Sequence, residues 1–305
     1  MASEIERVIE GIGEVVLGKE RVVRLSLTCL LARGHLLIED LPGVGKTTLA
    51  HALARLLDLH YQRIQFTSDL LPADILGASV YDRESGGFSF HPGPVFAELV
   101  LADEINRATP KAQSALLEAM EERQVTVEGR THGLPDPFFV IATQNPSFQI
   151  GTFPLPESQL DRFLMRVSIG YPGRIAEREL LGGDDRRALL ERRAPLLRAA
   201  DLRELQARVQ QVHVSDALLD YCQALLEHTR MSARFHHGLS PRAGLGLLRA
   251  ARAWALTGER DSVLPEDLQA VLPAVVGHRL VAADTGEPAG GEALAGELLR
   301  SVPIP

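Results

Sequence analysis

The sequence predicts an α/β fold in which a parallel five-stranded sheet carries a phosphate-binding loop and a small helical domain follows. Five short apolar runs alternate with helix-like stretches: "HLLIED" (35–40), "YQRIQF" (61–66), "ELVLAD" (98–103), "PFFVIATQ" (137–144) and "LMRVSI" (164–169). Runs such as Leu99-Val100-Leu101-Ala102 are apolar without alternation, as in strands covered by helices on both faces. The segment "HLLIEDLPGVGKTTLA" (35–50) sets a Gly-Lys-Thr turn between the first strand and a helix. Beyond "YPG" (171–173) the chain is rich in Leu, Ala and Arg with helical periodicity, so the boundary falls there: a core over 1–172 and a helical domain over 173–305.

The elements follow in chain order. After the first strand, Thr47–Leu57 has helical spacing, and the strand 61–66 comes next. Residues 67–97 are too long and too punctuated for one crossover and are expected to form an insertion. The strand 98–103 leads to a helix over Pro110–Glu122. "RQVTVEGRTHGLPDPF" (123–138) shows β-branched alternation beside a Gly-bearing turn, which predicts a hairpin. The last two strands complete the sheet. "AADTGEPAGGEA" (282–293) is expected to be a flexible loop before a final helix, Leu294–Val302.

The charge balance, Lys+Arg 32 against Asp+Glu 40 for a net −8, argues against a protein whose main task is gripping nucleic-acid backbones. The start "MASEIERVIEGIGEVV" has no basic lead into an apolar core, and "LSLTCLLARGHLLI" is broken by Arg33 and Gly34 and too short to span a bilayer. A cytoplasmic protein without membrane insertion is expected. Cys29 and Cys222 are expected to be buried thiols, since two lone cysteines make neither a disulfide framework nor a zinc site.

The chemistry concentrates at strand ends. The usual phosphate loop is G-x-x-x-x-G-K-[ST]; here Gly45, Lys46 and Thr47 are in place, and Asp40 stands at the first glycine position. Backbone N–H groups of Gly43, Val44, Gly45, Lys46, Thr47 and Thr48 would converge on phosphates at a helix N-terminus. Lys46 would hold the β- and γ-phosphates of ATP, and Thr47 would ligate Mg²⁺. Asp40 is expected to form the turn by bonding its own loop amides, its carboxylate facing away from the phosphates. "ELVLADE" ends a strand in Asp103, a second Mg²⁺ group, and Glu104, which would polarise an attacking water. Asn145, ending the next strand, is a candidate to hold that water. Arg107, just past Glu104, is a candidate contact to a neighbouring subunit. His91 and the pair His236-His237 lack partners at ligand spacing and are expected in loops.

"GVGKTTLA" (43–50), "LADEINRATPKAQSALLEAMEERQVTVEG" (101–129), "VIATQNP" (140–146), "LPESQLDRFLMRV" (155–167) and "LSPRA" (239–243) together resemble a MoxR-type AAA+ ATPase. The resemblance runs from about Val16 to the last residues, and Asp40 is its departure. It implies an AAA+ core with a helix-2 insert (67–97), a pre-sensor hairpin (124–137) and a helical lid. It also implies a ring, often hexameric, with ATP between subunits. By family pattern Arg162 is the arginine finger and Arg242 the sensor of the lid, in cis or in trans. Val16 and Gly18 in "VVLGKE" would line the adenine pocket. Ser240-Pro241-Arg242 itself reads as N-cap, N1 and N2 of a helix.

Three uses of the ATP remain. One is a remodelling chaperone that matures client enzymes or inserts their metals, often paired with proteins carrying von Willebrand factor A domains. The second is a nucleic-acid motor; the hairpin tip "VEGRTHGLPDP" offers no aromatic platform for bases, which argues against it. The third is a subunit like the magnesium chelatase ATPase. The "LADEINRATPKAQSALLEAMEE" run (101–122) favours the first.

Overall fold

The computed structural model describes residues 4–83, 86–145, 152–183, 185–283 and 291–304. Two helices lead in, α1 (Glu4–Gly13) and α2 (Glu20–Leu31). The core follows as β1 (Leu36–Glu39), α3 (Lys46–Leu56), β2 (Tyr61–Gln65), α4 (Pro72–Leu76), β3 (Gly77–Asp82), β4 (Gly87–Pro92), β5 (Leu99–Asp103) and α5 (Pro110–Glu122). It continues through β6 (Gln124–Val127), β7 (Arg130–Gly133), β8 (Phe139–Gln144), α6 (Glu157–Leu160) and β9 (Met165–Val167). Seven helices come after: α7 (Arg174–Gly182), α8 (Arg186–Glu191), α9 (Ala199–Gln211), α10 (Asp216–Met231), α11 (Pro241–Thr257), α12 (Pro265–Val276) and α13 (Gly291–Ser301).

The five expected strands form one parallel sheet in the order β2-β5-β8-β1-β9. The unbroken apolar runs of β1, β5 and β8 are explained by the two faces. Leu36, Ile38, Leu99, Leu101, Phe139 and Ile141 point into a core shared with α1, α2, α3 and the C-terminal helices. Leu37, Val100, Ala102, Val140 and Ala142 point the other way, toward α5 and the base of the insertion. Each strand thus buries alternate residues on opposite sides. The first of these cores passes through both halves of the chain without a break at residue 172.

Both insertions are present. Residues 67–97 fold as α4 and a two-stranded antiparallel unit, β3 with β4, whose two ends cross at Gly77 and Gly93. A Cβ on Gly77 would stand 2.2 Å from the His91 carbonyl oxygen, and one on Gly93 would stand 2.3 Å from that of Ile75. Only glycine lets the two chains pass so closely. The hairpin β6–β7 turns through Glu128 and Gly129, both at positive φ. Phe90 of β4 stacks on His132 of β7 with ring centroids 4.1 Å apart, and Phe96 meets both edge-on. The two insertions are therefore in contact.

Some expectations need correction. His91 lies in strand β4 rather than in a loop, because the insertion forms its own hairpin; His236 and His237 are in a loop. The last helix spans Gly291–Ser301, starting earlier than Leu294. Most of the loop expected at 282–293 lies outside the described residues. Both cysteines are buried free thiols. Among the described residues no helix is long and apolar enough to cross a membrane, and no group of His, Cys, Asp and Glu is placed to hold a metal ion.

His35, fully buried before β1, accepts from the Val140 N–H at Nδ1 (3.0 Å), and its Nε2 lies 3.3 Å from the Met120 carbonyl. Burial, then the charge of Arg123, lowers its pKa to about 4, so the ring is neutral at pH 7. Above pH 6.5 it is neutral folded and unfolded, and contributes no pH dependence. As pH falls from 6.5 toward 4, the unfolded chain takes a proton that the folded chain refuses, so stability is lost. The loss attributable to His35 should be roughly 3 kcal/mol. Urea unfolding at pH 7 and pH 4.5 will show a smaller loss in His35→Gln than in the wild type; equal losses would contradict the assignment.

Candidate active site

Lys46, Asp103, Glu104 and Asn145 come together because α3 begins, and β5 and β8 end, at the carboxyl edge of a parallel sheet. Gly43 (φ 84°) and Gly45 (φ 100°) give the loop after β1 the left-handed turns that aim its amides, and Gly45 is the N-cap of α3. A Cβ at either glycine would meet nothing within 4 Å, so the positive φ rather than crowding is what calls for glycine there. Val44 packs partly buried on the core, and Thr47 and Thr48 stand in the first turn of α3, Thr47 exposed. Lys46 donates to the Asp40 carbonyl (2.5 Å) and lies 3.4 Å from Asn145 Oδ1. Its burial lowers its pKa, and Asp40, Asp103 and Glu104 oppose that shift.

Asp40 faces away from the phosphate loop, as expected, but its partners differ. One carboxylate oxygen accepts from its own loop, at Leu41 N–H (2.7 Å). The other accepts from Ser168 Oγ (2.9 Å), Ile169 N–H (2.7 Å) and Gly170 N–H (2.6 Å), beyond β9. Burial alone would raise its pKa; these hydrogen bonds more than reverse that and hold it below the usual carboxylate value. Asp40 therefore ties the start of the loop to the next strand, where a glycine has nothing to offer.

The acidic pair is closely held. Asp103 accepts from Thr143 Oγ1 (2.6 Å) and from both Nε and Nη2 of Arg63 (3.1 and 2.5 Å). Glu104, in the left-handed region at φ 57°, accepts from Asn145 Nδ2 (3.0 Å) and Gln65 Nε2 (3.2 Å), while Thr143 Oγ1 accepts its backbone N–H. Arg107 pairs with Glu104 of its own chain at 3.1 Å. Arg63, Gln65 and Thr143 were not among the expected site residues. The signal available was in "YQRIQF": two long polar side chains, Arg63 and Gln65, on one face at the carboxyl end of a strand whose Ile64, on the other face, is buried. Asp103 already holds one cation in Arg63, and Thr47 offers a free hydroxyl at the head of α3. This donor set fits Mg²⁺ beside a triphosphate.

Arg162 and Arg242 are elsewhere. Arg33 and His35 precede β1, Glu121 and Arg123 flank the end of α5, and Asp161, Arg162 and Leu164 precede β9; these line a cleft of about 200 Å³ at the amino edge of the sheet. Arg242 binds Glu121 (2.5 Å) and lies 3.6 Å from Asp161, and Arg162 lines the same cleft. Ser240 caps α11 by accepting from Ala243 N–H (3.1 Å), which sets Arg242 in the first turn. Arg279, nearly buried, grips both sides of Arg162: it binds the Asp161 carboxylate (2.6 Å) and the carbonyls of Asp161, Phe163 and Leu164. No local motif announced Arg279. At the other end of the core, a Cβ on Gly18 would meet Ala176 at 3.1 Å, and Lys19 Nζ donates to the Tyr171 carbonyl (2.7 Å), which brings the segment after α1 to the start of α7. The Val16 side chain is buried in the core.

Residues 35–165 match the family described as ATPase family associated with various cellular activities (AAA), and residues 227–298 match the AAA lid domain. The chain is 44% identical over 301 residues to YeaC of Bacillus subtilis, an uncharacterised protein, covering 98% of this chain and 94% of that one. It is 42% identical over 287 residues to the chaperone MoxR1 of Mycobacterium tuberculosis, covering 91% and 75%. A crystal structure of a candidate ATPase from Cytophaga hutchinsonii superposes with a TM-score of 0.88 at 36% identity, covering 99% of this chain and 95% of that one.

Asp40→Ala removes a buried acceptor from three groups beyond β9 and should cost about 2–4 kcal/mol of stability. It should leave the ATP dissociation constant within about threefold, since a tenfold change would need 1.4 kcal/mol at the ligand. Denaturant unfolding and isothermal titration in Mg²⁺ measure the two. A tenfold loss of affinity at unchanged stability would put Asp40 in the phosphate site.

Proposed function

The chain belongs to the MoxR-type AAA+ ATPases, and from that premise we propose that it hydrolyses ATP between subunits of a homo-oligomeric ring, hexameric by family pattern, to remodel client proteins. Under this reading 1–172 is the nucleotide-binding core and 173–305 the lid. The amides from Gly43 to Thr48 and the Lys46 ammonium bind the phosphates. Val16 and Gly18 line the adenine side, consistent with Gly18 lying against Ala176. Thr47 and Asp103 hold Mg²⁺, which when bound neutralises charge on the phosphate oxygens. Glu104 accepts hydrogen bonds from Asn145 and Gln65, the position from which its carboxylate orients and polarises a water.

One observation carries the interfacial part. Arg162 and Arg242 sit at the amino edge of the sheet, whereas Lys46, Asp103, Glu104 and Asn145 sit at its carboxyl edge. Strands of this length, at about 3.3 Å per residue, separate the two edges by roughly 15 Å. An arginine there does not reach its own chain's γ-phosphate and is free to meet a neighbour's. Arg242 is therefore assigned in trans, beside the arginine finger.

The remodelling part rests on the insertions. Tyr81 and Phe88 face each other across β3–β4, edge-on at 5.4 Å, with 54% and 67% of their surface exposed, and Val80 is exposed beside them. The Phe90–His132 stack links this apolar tip to the hairpin between α5 and β8, so motion near Glu104 and Asn145 has a path to it. We assign the tip to contact with a client or a von Willebrand factor A domain partner. The same exposed aromatic pair is what a second reading, a motor on single-stranded nucleic acid, would use; the aromatic surface missing from the β6–β7 tip is present here.

Two measurements test the proposal. Arg162→Ala should bind ATP normally and lose about 10³-fold or more in hydrolysis. Mixing it with Lys46→Ala chains, which lack only the phosphate site, should restore part of the rate; no recovery in confirmed mixed oligomers would place Arg162 outside a shared site. Tyr81→Ser with Phe88→Ser should leave basal ATPase near the wild-type rate and abolish its stimulation by the partner protein. Loss of both activities would make the tip structural, and stimulation by single-stranded DNA that the variant loses would install the motor reading.

A further inference from the structure

The cleft at the amino edge has more positive charge than it can pair. Its walls carry Arg33, Arg123, Arg162, Arg242, Arg249 and Arg279 against only two carboxylates, Glu121 and Asp161. Four of the arginines are engaged. Arg33 binds Asp136, Arg123 binds the Arg33 carbonyl, Arg242 binds Glu121, and Arg279 binds Asp161. The side chains of Arg162 and Arg249 have no hydrogen-bond or ion-pair partner among the described residues. The finger role assigned above accounts for Arg162, and nothing so far accounts for Arg249.

Arg249 is placed for the same job. Arg242, Gly246 and Arg249 fall at i, i+4 and i+7 of α11, one face of the helix, and all three line the cleft. Gly246 keeps that face close to the finger loop: a Cβ there would meet Leu164 Cδ1 at 3.1 Å. Arg249 lines the cleft while remaining exposed to solvent; partial desolvation is the main cause that lowers its guanidinium below the ordinary pKa, and Arg242 adds to this less than Cys29 opposes it. A guanidinium on the cleft wall that no acid among the described residues pairs is available to an anionic ligand. A guanidinium fork matches phosphate oxygens. A cleft of about 200 Å³ is below the roughly 300–1,000 Å³ that encloses a whole small molecule, so it suits phosphate groups alone.

We infer that Arg249 is a third arginine acting across the subunit interface, binding outer phosphate oxygens of the nucleotide held by the next subunit's phosphate loop. This rests on the interfacial reading of Arg162 and Arg242. Free inorganic phosphate would satisfy the same chemistry, so the test separates the two sources.

Arg249→Gln should still bind ATP through its own untouched phosphate loop, and lose at least about tenfold in ATPase. Its melting temperature should be no lower than the wild type's, because a charge among like charges is removed. Mixing with Lys46→Ala chains, which still present Arg249, should restore part of the rate. Full activity of Arg249→Gln alone would overturn the inference, as would a melting temperature several degrees lower with no recovery on mixing, the mark of a structural arginine. Arg162→Ala is mixed in parallel: if it fails to recover, the interfacial reading itself fails, and if it recovers while Arg249→Gln does not, only the role of Arg249 falls. In a third arm, 10 mM inorganic phosphate is added to Lys46→Ala and to Lys46→Ala/Arg249→Gln. Stabilisation of the first alone, with no recovery on mixing, would make the cleft a receptor for free phosphate and contradict the inference.

Discussion

The parallel sheet holds two sets of charged groups apart. At its carboxyl edge stand Lys46, the loop amides and the Asp103-Glu104 pair; at its amino edge stand Arg162, Arg242 and the other arginines of the cleft. Direction of chain enforces this, because every strand runs the same way and each residue's place before or after its strand decides its edge. A single chain therefore carries a phosphate receptor and a set of arginines that do not meet within it. The proposed ring would join one subunit's receptor to the next subunit's arginines.

Long-range ties keep both edges in place. Asp40 fastens the phosphate loop to Ser168–Gly170, and Arg279 fastens Asp161, Phe163 and Leu164, the segment that presents Arg162. Arg166 connects them, binding Glu39 at 2.9 Å and the Gly277 carbonyl at 3.1 Å, so β1, β9 and the end of α12 are joined through one side chain. His278 adds a contact to the Phe163 carbonyl at 3.0 Å; buried among cations, its pKa lies well below the ordinary value and it stays neutral. These ties hold the C-terminal helices against the segment before β9, where Arg242 meets Glu121 and Asp161.

Much of this was legible in the chain because the signals are local. Unbroken apolar runs marked β1, β5 and β8, shorter apolar segments marked β2 and β9, the Gly43-Val44-Gly45-Lys46 turn marked the head of α3, and Ser240-Pro241 marked the cap of α11. The contacts that complete the site are not local. Arg63 meets Asp103 across 40 residues, Arg279 meets Asp161 across 118, and Asp40 meets Gly170 across 130. Such pairings depend on which strands become neighbours, and a strand's own sequence does not carry that information. Asp40 shows the difference well: its departure from the glycine pattern was visible and its orientation followed from charge, while three of its four hydrogen-bond partners came from the far side of the fold. The insertion was marked by its length, but its Gly-punctuated sequence hid a hairpin with an exposed aromatic pair.

The central claim is that catalysis needs two chains. The most direct measurement is turnover per chain as a function of protein concentration, with the oligomeric state followed by sedimentation under the same saturating Mg-ATP. Turnover per chain should vanish as the assembly dissociates and rise with the fraction assembled. A rate per chain that stays constant where the protein sediments as a monomer would contradict the claim.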